Sequence, residues 1–123
     1  MTATILVVDD DPLIRLTVTG ILEDEGYTVI DAGDGLEALE ALTKLDGVQP
    51  AAILLDITMP RMDGYAFAEE LARRGLRDAL PVIVLTADGR APEKAARVGA
   101  EGFLTKPFTL PTLLAEVARV VRR

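Results

Sequence analysis

Residues 5–12 read ILVVDDDP: four apolar residues run directly into three aspartates and a proline. The apolar run has the length and β-branched character of a buried strand. Asp11 followed by Pro12 is an N-cap and first-turn signal, so a helix starts as the strand ends. Three adjacent carboxylates repel one another and resist ionising together unless positive charge lies close. The same handover from strand to helix recurs four more times along the chain.

Further strands are expected at Tyr27–Asp31, Ala51–Leu55, Pro81–Leu85 and Gly102–Thr105, besides Thr4–Val8. The first, third and fourth in chain order are almost continuously apolar, as in a parallel sheet covered on both faces. The helix from Pro12 reaches about Glu25 on an Ile14, Val18, Ile21, Leu22 stripe and stops at Gly26. Asp34 with Glu37 gives a capping-box-like start to a helix ending near Leu45. A third helix runs from Gly64 to about Arg74, with Phe67 and Leu71 on one face. Pro92 opens a short one ending near Gly99. Thr109 caps the last, which carries Leu113, Val117, Val120 and Val121, with Arg119, Arg122 and Arg123 near its negative end. Five βα units of this size make an α/β fold with an open, doubly wound parallel sheet. No linker, repeat or low-complexity stretch interrupts residues 1–123, so a single domain is expected, with no output domain attached.

Composition narrows the functions. Thirteen Lys and Arg against 20 Asp and Glu give a net charge of −7, which disfavours nucleic acid and anionic lipid as direct partners. There is no cysteine, so disulfides and thiolate metal sites are excluded. There is no histidine, so any imidazole chemistry must come from a partner. No apolar run is long enough to span a bilayer and the N-terminus does not read as a signal peptide, so a cytoplasmic location is expected.

Ligands of open α/β sheets bind at the carboxyl ends of the strands. Those ends carry Asp9, Asp10 and Asp11; Asp56 in ILLDITMPRMDG; Thr86 in VIVLTAD; and Lys106 in FLTKPF. Asp11 is best read as a helix cap. Asp9, Asp10 and Asp56 make a hard oxygen set suited to Mg²⁺. Asp56, after five apolar residues, is either a turn cap or a carboxylate desolvated enough to act as a nucleophile. The Lys106 ammonium is either a solvated tail or a partner for Asp56. Thr86 is either an ordinary strand residue or a donor to an anion bound on Asp56.

Taken together, ILVVDDDP, LLDITMPRMDG, VLTA and GAEGFLTKPF, in this order and spacing, resemble a bacterial response-regulator receiver domain of the single-domain, chemotaxis-regulator-like kind. The resemblance covers essentially the whole chain. It implies a flavodoxin-like sheet of strand order 2-1-3-4-5 with five helices. It implies that Asp56 accepts a phosphoryl group from a phosphohistidine on a histidine kinase or histidine phosphotransfer protein. Asp9 and Asp10 would hold Mg²⁺ with Asp56 and the backbone carbonyl of Thr58. Lys106 would contact the phosphoryl group, Thr86 would bond to it after transfer, and Phe103 would turn inward as Thr86 moves. Such a domain phosphorylates and dephosphorylates itself without being a turnover enzyme. It passes its signal to a downstream protein, here of unknown identity, as a monomer or weak dimer. Phe103 lacks the hydroxyl that many relatives carry there. Thr58 and Asp88 stand at positions associated with phosphoryl lifetime, and Asp88 is expected to shorten it by disfavouring added negative charge.

Three rival readings share these residues. Asp9-x-Asp11 resembles the start of a haloacid-dehalogenase-like phosphatase with Asp9 as nucleophile, although Leu13 stands where that motif usually has Thr or Val. Residues 33–38, GDGLEA, fit G-x-G-x-x-A, but Asp34 and Glu37 place negative charge where a pyrophosphate needs positive. A receiver that binds proteins without being phosphorylated would keep the fold and lose the need for the full site. The chain could also be cut from a hybrid kinase or a transcription factor.

Overall fold

The computed structural model describes residues 2–45, 47–87 and 89–122. Five strands, β1 (Thr4–Val8), β2 (Thr28–Ala32), β3 (Ala52–Asp56), β4 (Val82–Thr86) and β5 (Gly102–Thr105), alternate with five helices. The helices are α1 (Pro12–Asp24), α2 (Gly35–Lys44), α3 (Gly64–Arg73), α4 (Ala91–Val98) and α5 (Leu110–Val121). All strand pairs are parallel and the order is β2-β1-β3-β4-β5. This is the doubly wound, flavodoxin-like architecture expected from the sequence. Its order reverses at β1, which opens a crevice between the carboxyl ends of β1 and β3.

Strand residues alternate between two cores, as a pleated backbone requires. Leu6, Val8, Ile53, Leu55, Val82 and Val84 face α2, α3 and α4, where Phe67 and Leu71 are fully buried. Ile5, Val7, Leu54, Ile83 and Leu85 face α1 and α5, packing on Val18, Leu22, Leu113 and Val117. The central strands β1, β3 and β4 are buried along their whole length, which explains their almost continuously apolar sequence.

The helix starts follow their caps. Asp11 accepts from the amides of Leu13 and Ile14 at 2.9 and 3.4 Å. Asp34 accepts from Glu37 N, while the Glu37 carboxylate accepts from Gly33 N, both at 2.9 Å. Thr109 caps α5 through Thr112 N. Gly26 and Gly99 take φ of +95° and +69°, left-handed values that end α1 and α4.

Strands β2, β3 and β4 each sit one residue later than expected. The pairing carries Ala32, Asp56 and Thr86 into the ladder, opposite Val8, Leu85 and Thr105. Pro81 has no N–H to give, and it precedes β4 while its carbonyl accepts from Ile53 N. Helix α4 starts one residue before Pro92. A single 3₁₀ turn at Arg77–Ala79, unexpected from the sequence, links α3 to β4.

The outer edge of β5 is covered by side chains of α5. Glu116 accepts from Phe103 N at 3.2 Å, and Arg119 donates to the Glu101 carbonyl at 2.9 Å. A side chain at Gly102 would collide with Glu116 and Arg119, so glycine is what lets them lie across the strand. Of the other arginines expected near this end, Arg122 caps α5 and Arg123 lies outside the described residues.

Candidate functional site

Asp9 continues the β1 ladder, its amide donating to the Ala32 carbonyl at 3.1 Å, and its side chain is wholly buried. One carboxylate oxygen accepts from Asp11 N at 2.9 Å, the other from Lys106 Nζ at 2.8 Å. Asp10 is exposed beside it. Asp56 ends β3 with 6% of its surface exposed, and its Oδ1 accepts from Thr58 N at 3.3 Å. Oxygens of Asp9, Asp10 and Asp56 all lie within 4.8 Å of one another.

This crowding perturbs Asp56. Burial is the largest influence and the charge of Asp9 the next, and together they push its carboxyl up to about 7 against the pull of Lys106. Lys106 Nζ stands 3.6 Å from Asp56 Oδ2, farther than from Asp9. Burial works against its charge, but bonding to Asp9 and the nearby Asp56 carboxylate prevail and hold the ammonium protonated above its usual range. The Lys106 side chain is directed from a backbone tied to β4 by the bond from its amide to the Thr86 carbonyl, 2.8 Å long. The Lys106–Pro107 peptide is cis.

Thr86, on the strand next to Asp56, is buried. Phe103 pairs with Val84 and Thr105 with Thr86, so Phe103 shares the sheet face that carries Thr86. Phe103 is turned out, 41% exposed. Thr58 is exposed at the mouth of the site. Asp88 lies outside the described residues.

Helix α3 begins close against the acceptor. A Cβ at Gly64 would stand 2.8 Å from both the Asp56 carbonyl and the Ile57 Cα, and the Gly64 amide donates to the Ile57 carbonyl at 2.9 Å. The glycine of MDG is therefore a spacing requirement of the β3–α3 loop. The same loop is gripped from α2. Arg61, at φ +64°, donates through Nε to Asp34 at 2.7 Å, and the Gly35 amide donates to the Met62 carbonyl at 3.3 Å. Burial opposes the charge on Asp34, yet the Glu37 amide and Arg61 hold its carboxyl below the usual range.

Three contributors were not singled out in the sequence. Arg15 donates to the Asp9 carbonyl at 2.7 Å and to Asp31 at 3.1 Å, fixing the backbone that aims Asp9 and Asp10. Its place one turn into α1, after the acidic run, was the available signal. Arg61 and Lys94, whose ammonium donates to the Thr86 hydroxyl at 3.3 Å, lacked any such signal, because their partners are remote or on another element. The GDGLEA stretch offers no anion site, since the amides of Gly33, Gly35 and Glu37 are bonded to Glu37, Met62 and Asp34.

The acidic set fits a hard divalent cation. It supplies carboxylate oxygens within reach of one centre, and Asp10 leaves one side open for water. It also fits acceptance of a phosphoryl group, with Lys106 as the adjacent cation. Asp9, buried and bonded through both oxygens, is poorly suited to be a nucleophile.

Comparison with known proteins agrees with this geometry. Residues 5–118 match the response regulator receiver domain family. The response regulator MprA of Mycobacterium ulcerans is 42% identical over 125 residues, covering 100% of this chain and 52% of its own length. The chain thus spans about half the length of the curated relatives it matches. The chemotaxis response regulator CheY4 of Vibrio cholerae superposes with a TM-score of 0.86 at 37% identity, covering 98% of this chain and 99% of that one. The receiver domain of NtrX from Brucella abortus gives a TM-score of 0.84 at 36% identity, over 96% and 98% of the two chains.

Proposed function

Since the chain belongs to the response regulator receiver domain family of two-component signalling, we propose that Asp56 is its phosphoacceptor. The observation that carries the reading is a buried carboxylate with two further aspartates and one lysine gathered at the crevice between β1 and β3. The donor is a phosphohistidine on a kinase or phosphotransfer protein, as membership of a two-component family implies, and the chain has no histidine of its own to supply one. An Asp56 oxygen attacks phosphorus, the P–O bond forms as the P–N bond breaks, and the partner's imidazole leaves. Asp9, Asp10, Asp56 and the Thr58 carbonyl would hold Mg²⁺, which when bound neutralises charge on the phosphoryl oxygens. Lys106 contributes a second positive charge on the side of β5.

The product carries about two negative charges and three acceptor oxygens where one carboxylate stood. The Thr86 hydroxyl then turns to donate to it, and Phe103 moves into the space that Thr86 leaves. A partner reaches Asp56 past Leu13 and Leu16, each 71% exposed on α1, and past an apolar groove of about 540 Å³ between α1 and α5. Among the described residues no helix is long and apolar enough to cross a membrane.

The test is incubation with Mg²⁺ and a small phosphodonor, followed by intact mass measurement. One phosphoryl-sized gain is expected on the wild type and none on Asp56→Asn. No gain on the wild type, or the same gain on the variant, would overturn the reading.

A further inference from the structure

Lys94 lies midway along α4, and its ammonium donates to the Thr86 hydroxyl oxygen at 3.3 Å. Thr86 is buried and Lys94 half-buried, so water competes weakly for the contact. The rest of α4 is unevenly anchored. Its buried residues, Ala91 and Ala95, are both alanines, which contribute little apolar area. Its C-terminal end is pinned: Arg77 donates to the Gly99 carbonyl at 2.5 Å and to the Val98 carbonyl at 3.4 Å. The Arg97 guanidinium also stacks over the Tyr65 ring at 3.8 Å from its centroid. At the other end, the N-cap residue Arg90 makes no side-chain cap.

We propose that Lys94 is a positioning residue that tethers Thr86 in its resting place and couples it directly to α4. This rests on Thr86 being the group that engages the phosphoryl oxygens. A hydroxyl that swings toward Asp56 moves away from the ammonium, so the tether opposes the switch. Once it is released, the buried apolar anchors of the N-terminal half of α4 are two small alanines, while Arg77 keeps the C-terminal end fixed. The helix then pivots about that end. This gives the site a route to the α4 surface that does not pass through Phe103.

The test uses Mg²⁺ with beryllofluoride, a phosphoryl mimic, on the intact chain, reading the Thr86 methyl resonance, amide exchange in α4 and the affinity. In Lys94→Met the free-state Thr86 methyl should move toward its position in the saturated wild type. Amides of residues 93–96 should exchange faster than in the wild type, while those of 98–100 stay unchanged. Beryllofluoride affinity should rise on the order of fivefold, the scale of one charge-assisted bond at a partly open site. Lys94→Arg, which keeps a donor, should restore wild-type values. A thermal melt of each variant separates these effects from unfolding. An unmoved Thr86 methyl, an unchanged or weaker affinity in Lys94→Met, or an arginine variant that behaves like the methionine one would each overturn the tether. Failure of the wild type to bind the mimic through Asp56, checked with Asp56→Asn, would instead sink the phosphoacceptor reading, and the tether with it.

Discussion

Asp56 is held far from its ordinary titration range by burial and by the charge of Asp9. Its carboxyl lies near 7 in the folded chain, against an ordinary value of 3.8. Between about pH 4 and pH 7 the folded protein therefore keeps a proton that the unfolded chain has lost. Stability should fall as pH rises through that window and level off above it. With a chelator present, we expect Asp56→Asn to abolish most of this slope. It should stabilise the chain at pH 8 by on the order of 2 kcal/mol, screening at the open rim reducing the full linkage value. Urea unfolding at pH 5 and pH 8 would measure it, and adding Mg²⁺ at pH 8 should recover the lost stability in the wild type only. The Asp9, Asp10 and Asp56 cluster was legible in the sequence because the carboxyl ends of parallel strands converge. That Lys106 sits nearer Asp9 than Asp56 was not legible, since a long flexible chain settles by local distances that spacing does not encode. At Asp88, replacement by Asn should slow dephosphorylation, measured as loss of the phosphoryl mass with time.

Elements bring these residues together through close backbone approaches. Gly64 is the clearest case: a methyl there meets the Asp56 carbonyl and the Ile57 Cα, neither of which yields cheaply. Gly64→Ala should cost about 2 kcal/mol in urea unfolding and slow phosphorylation of Asp56, because α3 must back away from the acceptor. The grip of α2 on the β3–α3 loop adds a second expectation. Asp34→Ala removes a helix cap and the partner of Arg61 together, so it should cost more than the roughly 1 kcal/mol of an exposed cap. Melting of Asp34→Ala against Asp11→Ala, whose cap carries no ion pair, makes the comparison. Helix starts were readable because capping is local chemistry. The single-residue shift of three strands was not, because register is set by neighbouring strands. The 3₁₀ turn at Arg77–Ala79 also escaped, since three residues leave no periodicity to detect.

At the scale of the molecule, the sheet divides two cores and leaves the site at its rim, fed by loops from β1, β3, β4 and β5. Apolar periodicity with caps and breakers was enough for five βα units and an open doubly wound sheet, because strands buried on both faces and helices buried on one leave different signatures, whereas the strand order came from the family resemblance. Phe67 fills the core beneath α3 and is fully buried. Phe67→Ala should cost about 3–5 kcal/mol, seen as a lower urea midpoint. The phosphorylated mass should still form on the fraction that stays folded, because Phe67 makes none of the polar contacts of Asp9, Asp56 and Lys106. Loss of phosphorylation at full folding would show that this core supports the acceptor loop through Ile57 and Met59, which share its cluster.

The covered margin of β5 has a consequence for how copies of this chain can meet. An edge strand normally offers a row of free amides to any extended segment that drifts past. Here one of those amides is already engaged by Glu116, and Arg119 lies across the adjoining carbonyl. Backbone-to-backbone sheet extension is thereby disfavoured at this border, and association across it must proceed through side-chain surfaces, where sequence can select the partner. Gly102 is the hinge of that arrangement, because any bulkier residue would push both side chains aside and uncover the strand.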